Sequence, residues 1–185
     1  MKAMHRILEF VERTKDRGWK LKPDRRLNGY DRTIKFKIKG NSNLDFANCP
    51  ETRRGVSGWV VSLKAASVAV KSIMQKIVVL SVTDAELVAA VICVQHMLYV
   101  MKVLESMGLQ VEYPMETDID NIGTVDFANN WSVGGRKKHT HTQIFFLRGL
   151  KEEGILKTIW EKGVNNTGDV FTKNLAGPDF NKCSR

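Results

Sequence analysis

Residues 33–39 read Thr-Ile-Lys-Phe-Lys-Ile-Lys, an alternation of apolar and basic side chains. Successive side chains of a β-strand point to opposite faces, so this period of two predicts a strand that is buried on one side. Its apolar face carries Ile34, Phe36 and Ile38, and its other face is a row of lysines. We therefore take residues 33–39 as the first strand of a sheet.

The residues that follow predict an opening meander and then an alternation of helices and strands. After a loop marked by Asn48, Pro50 and Gly55, the predicted elements are strands at 57–63 and 67–71, an extended run at 77–80, a helix from Thr83 to Gly108, a strand at 115–119, a short helix after Asp120, a helix at 137–152 that buries Ile144, Phe145 and Leu147, a strand at 155–160 and a short helix from Asp169. This order predicts an α/β fold with a mixed sheet covered by helices.

The N-terminal part is predicted to stand apart from this domain. Residues 3–13 favour a short helix, and Gly18, Pro23 and Gly29 indicate a linker over 14–32. The predicted organisation is a basic extension at 1–32, the domain at 33–180 and a tail at 181–185.

The charge is concentrated near the N-terminus. Lysine and arginine number 29 against 20 acids, a formal charge of +9, and the first forty residues hold 13 of these bases and five acids. Such an excess favours a polyanionic partner, either nucleic acid or an acidic membrane surface. A solvated basic face is the alternative.

The cysteines and the apolar segments indicate an intracellular protein. Cys49, Cys93 and Cys183 are far apart and odd in number, which supports neither a disulfide framework nor a zinc ribbon. The N-terminus shows no secretory apolar segment, and the apolar stretch at 85–104 contains Gln95, His96 and Lys102, as expected of a buried helix.

Three acids fall at junctions between predicted elements: Glu86, Asp120 and Asp169. Each has a structural alternative. Glu86 could complete a capping box with Thr83, and Asp120 and Asp169 could cap the helices that they precede. If the three carboxylates converge, they form an oxygen-lined site suited to Mg²⁺ or Mn²⁺.

The histidines offer weaker candidates. His139 and His141 follow the basic run Arg136, Lys137 and Lys138, where contact with phosphate or a solvated face is favoured over a zinc site, since no third ligand has useful spacing. His96, on an apolar helix, is interpreted as a half-buried histidine whose hydrogen bonds are satisfied.

Five stretches, in order along the chain, together resemble the ribonuclease H domain of copia-type retrotransposon Pol polyproteins. They are Ser42-Asn43-Leu44-Asp45-Phe46-Ala47 with Cys49-Pro50-Glu51-Thr52-Arg53-Arg54 and Ser57-Gly58-Trp59, Leu80-Ser81-Val82-Thr83-Asp84-Ala85-Glu86, Asp120-Asn121, Gly135-Arg136-Lys137-Lys138-His139, and Gly168-Asp169-Val170-Phe171-Thr172-Lys173-Asn174-Leu175. Ala3-Met4-His5-Arg6 also resembles the stretch that follows the reverse transcriptase domain in such polyproteins.

The resemblance implies a ribonuclease H-like fold, with a five-stranded mixed sheet whose first three strands are antiparallel. It implies hydrolysis of the RNA strand of an RNA/DNA hybrid by two Mg²⁺ ions held by four carboxylates. By motif, Glu86, Asp120 and Asp169 supply three of these, and His139 assists proton transfer or product release. The basic residues of the motifs are candidate nucleic-acid contacts: Arg53, Arg54, Arg136, Lys137, Lys138 and Lys173. The implied partner is the reverse transcriptase domain of the parent polyprotein.

The first-strand carboxylate of the family is missing, because Asn43 stands at its position. A neutral amide removes one of four negative charges, so the second metal ion is expected to bind poorly and activity to be weak or lost. Asp45 lies two residues along the same face, roughly 6–7 Å away, too far to replace it without a register shift. Asp84, Gly55, Met74, His141 and Gln143 also depart from the family pattern.

Two alternatives to an impaired hybrid-binding domain stay open. One is an active ribonuclease in which Asp45 or water completes the site. The other is a basic module that binds nucleic acid by charge alone and has no metal site.

Overall fold

The computed structural model describes residues 2–16, 34–47, 49, 51–64, 66–76, 78–130 and 138–173. The elements in chain order are α1 (Lys2–Thr14), β1 (Lys35–Asp45), β2 (Val56–Leu63), β3 (Ala66–Met74), α2 (Val82–Ser106), β4 (Gln110–Ile119), α3 (Ile122–Asn129), α4 (Lys138–Glu152), β5 (Leu156–Trp160) and two 3₁₀ turns, η1 (Gly163–Asn165) and η2 (Thr167–Phe171).

The five strands form one mixed sheet in the order β3-β2-β1-β4-β5. β1 pairs with β2, and β2 with β3, in antiparallel register, whereas β1–β4 and β4–β5 are parallel. The predicted five-stranded mixed sheet with three antiparallel opening strands is therefore confirmed. β1 lies at its centre, where the antiparallel and parallel halves meet.

β1 continues six residues beyond the predicted end at Lys39, through Gly-Asn-Ser-Asn-Leu-Asp. The alternation disappears there because both faces of the strand are covered, and Asn41, Ser42 and Asn43 are all buried. Period-two patterning identifies only half-buried strands, so the sequence underestimated the length of β1. The run at 77–80 is not a strand over its described residues, 78–80.

The central helix α2 covers one face of the sheet. Its side chains Leu87, Val94 and Met97 are fully buried in the main core. Met97 and Cys93 occupy the space where a Cβ on Gly40 of β1 would lie, so the glycine lets helix and strand approach closely. In length and composition α2 could span a membrane, yet half of its most apolar window is buried within this fold.

α3 and α4 pack on each other and on β5, extending the layer that α2 begins. Ile144 and Leu147 of α4 are buried as predicted, but Phe145 is 53% exposed. The prediction for Phe145 was wrong because it lies next to Ile144 in sequence and, at 100° per residue, points away from the face that packs on the core. Gly108, the predicted end of α2, and Gly154, which follows α4, both have positive φ angles.

Two lysines of the row on β1 pair with acids of the neighbouring strand β4. Lys37 Nζ lies 2.9 Å from Glu116 Oε2, and Lys39 Nζ lies 2.6 Å from Asp118 Oδ2. These bases are therefore largely neutralised within the sheet. They contribute less to an open basic surface than the sequence alone indicates.

The predicted N-terminal helix is confirmed as α1, which is slightly longer than predicted. In the described part of the chain, no other element packs against α1 over more than a marginal contact. Most of the predicted linker and the tail at 181–185 lie outside the described residues, so the domain limits stay predictions.

Candidate functional site

The candidate residues come from four elements that end near one edge of the sheet. In the parallel pairing of β1 with β4, Ser42 is opposite Ile119, so Asn43 and Asp120 follow at the same end. Glu86 is in the first turns of α2, and Asp169 is in η2, which packs on β1 and β2. Topology thus gathers residues that are far apart in sequence.

Asn43 contacts Asp169 directly, although 126 residues separate them. The fully buried amide donates through Nδ2 to Asp169 Oδ1 and to Thr172 Oγ1, the latter at 2.6 Å. The opposite orientation of the amide would set its oxygen against the carboxylate. The electrostatics therefore fix the nitrogen toward Asp169.

The η2 segment is anchored on β1 by residues that the sequence did not single out. Asn166 Nδ2 donates to the backbone oxygen of Ser42 at 2.8 Å, and Asn166 Oδ1 accepts from the amide of Gly168 at 2.9 Å. A Cβ on Gly168 would lie 3.1 Å from Asn43 Cβ, and a Cβ on Gly58 would collide with Phe171 and Thr172. The glycines of the last motif and of Ser-Gly-Trp were the available signal, because close backbone approach requires glycine.

None of the three acids caps a helix, although capping was the structural alternative for each of them. The N-cap of α2 is Ser81, and no side-chain bond caps this helix, so the predicted capping box of Thr83 and Glu86 is wrong. Glu86 instead turns inward and is almost fully buried. Glu86 lies beyond the first turn of α2, where backbone amides already have partners within the helix. Its side chain is therefore not needed as a cap and can point at the sheet.

Asp120 and Asp169 are not caps either. Asn121 caps α3 by accepting a hydrogen bond from the amide of Thr124 at 3.1 Å. Asn166 caps η2 through its bond to Gly168. In both places a neighbouring asparagine satisfies the helix terminus, so the carboxylates of Asp120 and Asp169 are available for other contacts.

The charge of Asp169 affects the pKa of both Glu86 and Asp120, and the charge of Asp120 affects that of Glu86. Burial raises the pKa of Glu86 to about 8, and the charges of Asp120 and, more weakly, Asp169 add to the rise. Burial also raises the pKa of Asp120, with a further contribution from Asp169. Such mutual repulsion indicates that the carboxylates lie within electrostatic reach of one another.

Lys173 supplies positive charge to this cluster. Its Nζ lies 2.8 Å from Asp169 Oδ1, one helical turn away in sequence. Burial lowers the pKa of Lys173, but the hydrogen bond and charge of Asp169, with Asp120 and Glu86 adding to them, raise it overall. The ammonium group in turn offsets part of the rise in the pKa of Glu86 and Asp120.

The donor set does not fit a two-metal site. Among the residues that the structure describes, no three His, Cys, Asp or Glu side chains form a group that could hold a metal ion. The position on β1 is a neutral amide that directs hydrogen toward Asp169, and Lys173 engages the same carboxylate oxygen. Only Asn43 Oδ1 and Glu86 Oε2 are buried oxygens of the cluster without a hydrogen-bond partner.

The remaining candidates are described only in part. Arg53 is exposed in the loop after β1, and Arg54 is half-buried beside it. Arg136 and Lys137 lie outside the described residues, and so do the side chains of Lys138, His139 and His141. His96 is half-buried, packs on the ring of Trp59 and shares a hydrogen bond of 2.8 Å with the carbonyl of Ile92. It is therefore a half-buried histidine with a hydrogen-bond partner, as predicted.

Comparison with known proteins gives relatives in transposons. No family model matches the chain. It is 26% identical over 147 residues to the retrovirus-related Pol polyprotein from transposon TNT 1-94 of Nicotiana tabacum, covering 79% of the chain and 11% of that protein. It is 25% identical over 183 residues to the retrovirus-related Pol polyprotein from transposon RE2 of Arabidopsis thaliana. This match covers 99% of the chain and 12% of that protein. The chain thus spans about an eighth of the length of these relatives.

Solved structures with the same fold are ribonuclease H domains. The N-terminal RNase H domain of a Mycobacterium tuberculosis protein, solved as a fusion with maltose binding protein, matches 74% of the chain with a TM-score of 0.53 and 13% identity, over 91% of its own length. LC11-RNase H1, isolated from compost and solved in complex with RNA/DNA hybrid, matches 75% with a TM-score of 0.51 and 13% identity, over 94% of its length. The chain therefore has a ribonuclease H fold and is related in sequence to the Pol polyproteins of copia-type transposons, as expected of a retrotransposon ribonuclease H-like domain.

Proposed function

We propose that this domain binds RNA/DNA hybrid and that its ancestral activity, metal-dependent hydrolysis of the RNA strand, is weak or lost. The observation that carries the proposal is the amide of Asn43, buried at the position of the first carboxylate and bonded to Asp169 and Thr172. The similarity to LC11-RNase H1, which was solved with RNA/DNA hybrid, supports the choice of ligand.

The loss of activity follows from charge. In the proposed ancestral reaction, four carboxylates hold the Mg²⁺ or Mn²⁺ ions that activate water and stabilise the leaving oxygen. Asn43 offers one neutral oxygen in place of a carboxylate, and its nitrogen faces Asp169. Loss of one such preorganised group typically costs roughly 100-fold to 1000-fold in rate.

The proposed hybrid contacts are basic residues around this edge of the sheet. Arg53 and Arg54 belong to the loop after β1, and Lys173 follows η2. We assign Arg136, Lys137 and Lys138 to the phosphates, and His139 to proton transfer or product release, on the resemblance alone. Because hybrid recognition relies on backbone and 2′-hydroxyl contacts, little sequence preference is expected. We place the chain inside the cell, with the reverse transcriptase domain of its parent polyprotein as partner.

A cleavage assay on a labelled RNA/DNA hybrid with Mg²⁺ tests the catalytic half of the proposal. The unmodified chain should cut weakly or not at all, and Asn43→Asp should raise the rate by roughly 100-fold or more if the remaining site is intact. The double variant Asn43→Asp with Asp120→Asn should lose that gain. Robust cutting by the unmodified chain would instead favour an active, rearranged site.

Titrations on hybrid and on duplex DNA of the same sequence, at two salt concentrations, test the binding half. The proposal predicts tighter binding to hybrid at both salts. Equal affinity for the two ligands, with a steep loss on adding salt, would show a basic module bound by charge alone.

A further inference from the structure

Whether the contact between Asn43 and Asp169 is attractive or repulsive depends on one side-chain group of residue 43. Were residue 43 an aspartate, its buried carboxylate would meet the half-buried carboxylate of Asp169 at hydrogen-bond distance, and the two would repel each other unless a cation lay between them. The amide nitrogen of Asn43 donates to Asp169 Oδ1 instead, so the same close approach is attractive. Thr172 Oγ1, at 2.6 Å from the same nitrogen, ties the strand to the end of η2.

The charge of the cluster is also balanced from within the chain. Lys173 Nζ is 2.8 Å from the oxygen that Asn43 contacts, and its charge reaches Asp120 and Glu86. Asp169 therefore receives an amide hydrogen and an ammonium hydrogen on one oxygen. This is a charge-assisted pairing on a half-buried carboxylate.

The same chemistry recurs two residues earlier on β1. Asn41 Nδ2 donates to Asp118 Oδ2 at 3.0 Å, and Lys39 Nζ lies 2.6 Å from that oxygen. Asp118 is as buried as the residues of the main core. At both places, an asparagine of β1 and a lysine contact the same oxygen of an aspartate, which is buried at Asp118 and half-buried at Asp169.

We propose that Asn43 and Lys173 replace the divalent cations as the groups that hold this edge of the sheet together, so that the folded chain neither requires nor gains stability from Mg²⁺. The inference rests on the proposed function only in taking the site to descend from a metal-binding one. Lys173 thereby has an internal partner in the absence of nucleic acid. The residue that weakens catalysis also stabilises the fold without metal.

Thermal unfolding of the full chain, without nucleic acid, tests this. The melting temperature of the unmodified chain should agree within about 1 °C in chelator and in millimolar Mg²⁺, because a ligand of the native state would raise it. Asn43→Asp should melt about 5 °C lower in chelator and recover in Mg²⁺. Asn130→Asp, an exposed position outside the cluster, makes the same charge change and should show neither effect.

Lys173→Met provides an independent variant if Asn43→Asp does not fold. It should lose more stability in chelator than Lys37→Met, whose lysine also pairs with a carboxylate and is similarly exposed, at 43% against 41%. A rise in the melting temperature of the unmodified chain with Mg²⁺ would overturn the inference. So would a Lys173→Met variant no less stable than Lys37→Met. Neither measurement involves hybrid, so a failure of the proposed binding is seen separately.

Discussion

Asn43 and aspartate have nearly the same size and shape, so the difference between them in this fold is electrostatic. The position is buried, faces Asp169 and lies 126 residues from it in sequence. An amide there makes the contact favourable without a cation, and a carboxylate would make it favourable only with one. The exchange of one atom thus separates a metal site from a structural hydrogen bond.

Glycine is required where η2 lies against β2. Gly58→Ala should lower the free energy of unfolding by about 1–3 kcal/mol, because the new Cβ would collide with Phe171 and Thr172, including the backbone of Phe171. Gly149→Ala in α4 is the matched control, since its Cβ would meet nothing within 4 Å. It should raise stability by about 0.5–1 kcal/mol. Urea denaturation of both variants measures this, and equal effects would contradict the packing of η2.

The two described thiols should react very differently. Burial raises the pKa of Cys93 to about 12, whereas hydrogen bonds from Thr52 and Glu51 lower the pKa of Cys49. Since the thiolate is the nucleophile, native protein near pH 8 should be alkylated at Cys49 and not at Cys93. Peptide mass analysis after brief iodoacetamide treatment checks this, with unfolded protein as the control. Fast labelling of native Cys93 would mean that the interface of α2 and β1 opens readily.

Raising the pH should weaken folding through Cys93. Its folded-state pKa lies above the value of 9.0 for a free thiol, so the folded chain holds the proton more tightly. The free energy of unfolding should therefore fall as pH rises through and above 9, toward 12. Cys93→Ala should remove this part of the pH dependence in denaturation curves. An unchanged slope would contradict the burial of the thiol.

At the scale of elements, polar side chains donate hydrogen bonds to helix-terminal carbonyls, which apolar packing cannot satisfy. Arg148 of α4 is almost fully buried and donates through Nε to the carbonyl of Phe127 at 2.8 Å and through its terminal nitrogen to the carbonyl of Asn130. These carbonyls lie at the C-terminal end of α3, where unpaired oxygens favour a cation. One arginine therefore joins α3 to α4.

Replacing this arginine should separate the two helices. Arg148→Met should lower the free energy of unfolding by about 1.5–3 kcal/mol, since it leaves helix-terminal carbonyls buried beside an apolar side chain. Lys151→Met is the control, because Lys151 is exposed and makes a single bond to the carbonyl of Asn129. Its cost should be under about 0.5 kcal/mol. Equal losses in chemical denaturation would argue against the role of Arg148.

For the whole molecule, most of the excess positive charge lies in the N-terminal extension, and the sheet lies in the domain that follows it. The extension at 1–32 carries ten bases and five acids, more than half of the excess of +9. The described part of it, α1, makes at most marginal contacts with other elements. The sheet domain should therefore fold without the extension, and the extension should serve mainly to attract polyanions.

Removing residues 1–32 should separate the two contributions. The truncated chain should melt within about 2 °C of the full chain, because few native contacts are lost. Its affinity for hybrid should fall by roughly tenfold at low salt, with a shallower salt dependence, because fewer counterions are released on binding. Titrations at several salt concentrations compare the two chains. A truncated chain that unfolds would place the domain boundary further toward the N-terminus.

The sequence by itself determined the order of strands and helices, the mixed sheet and the position of Asn43 among the motif residues. The elements and the mixed sheet depend on local periodicity and on short spacings, whereas the position of Asn43 comes from the resemblance of the ordered motifs. The sequence offered a capping box of Thr83 and Glu86 that does not form, placed Phe145 on the wrong side of its helix and made the first strand too short. β1 is longer because its end is buried on both faces, Phe145 is exposed because it lies 100° from Ile144 around α4, and the N-cap of α2 is Ser81 rather than Thr83.

Only the tertiary structure decided what Asn43 does. Its partners, Asp169 and Thr172, reach it because β1 lies at the centre of the sheet and η2 packs across it through Gly58 and Gly168. The direction of the amide depends on that packing, whereas the pairing of Lys173 with Asp169 is a local contact between residues four apart. The physical reason is that a long-range polar contact is fixed by how elements dock, which periodicity does not encode.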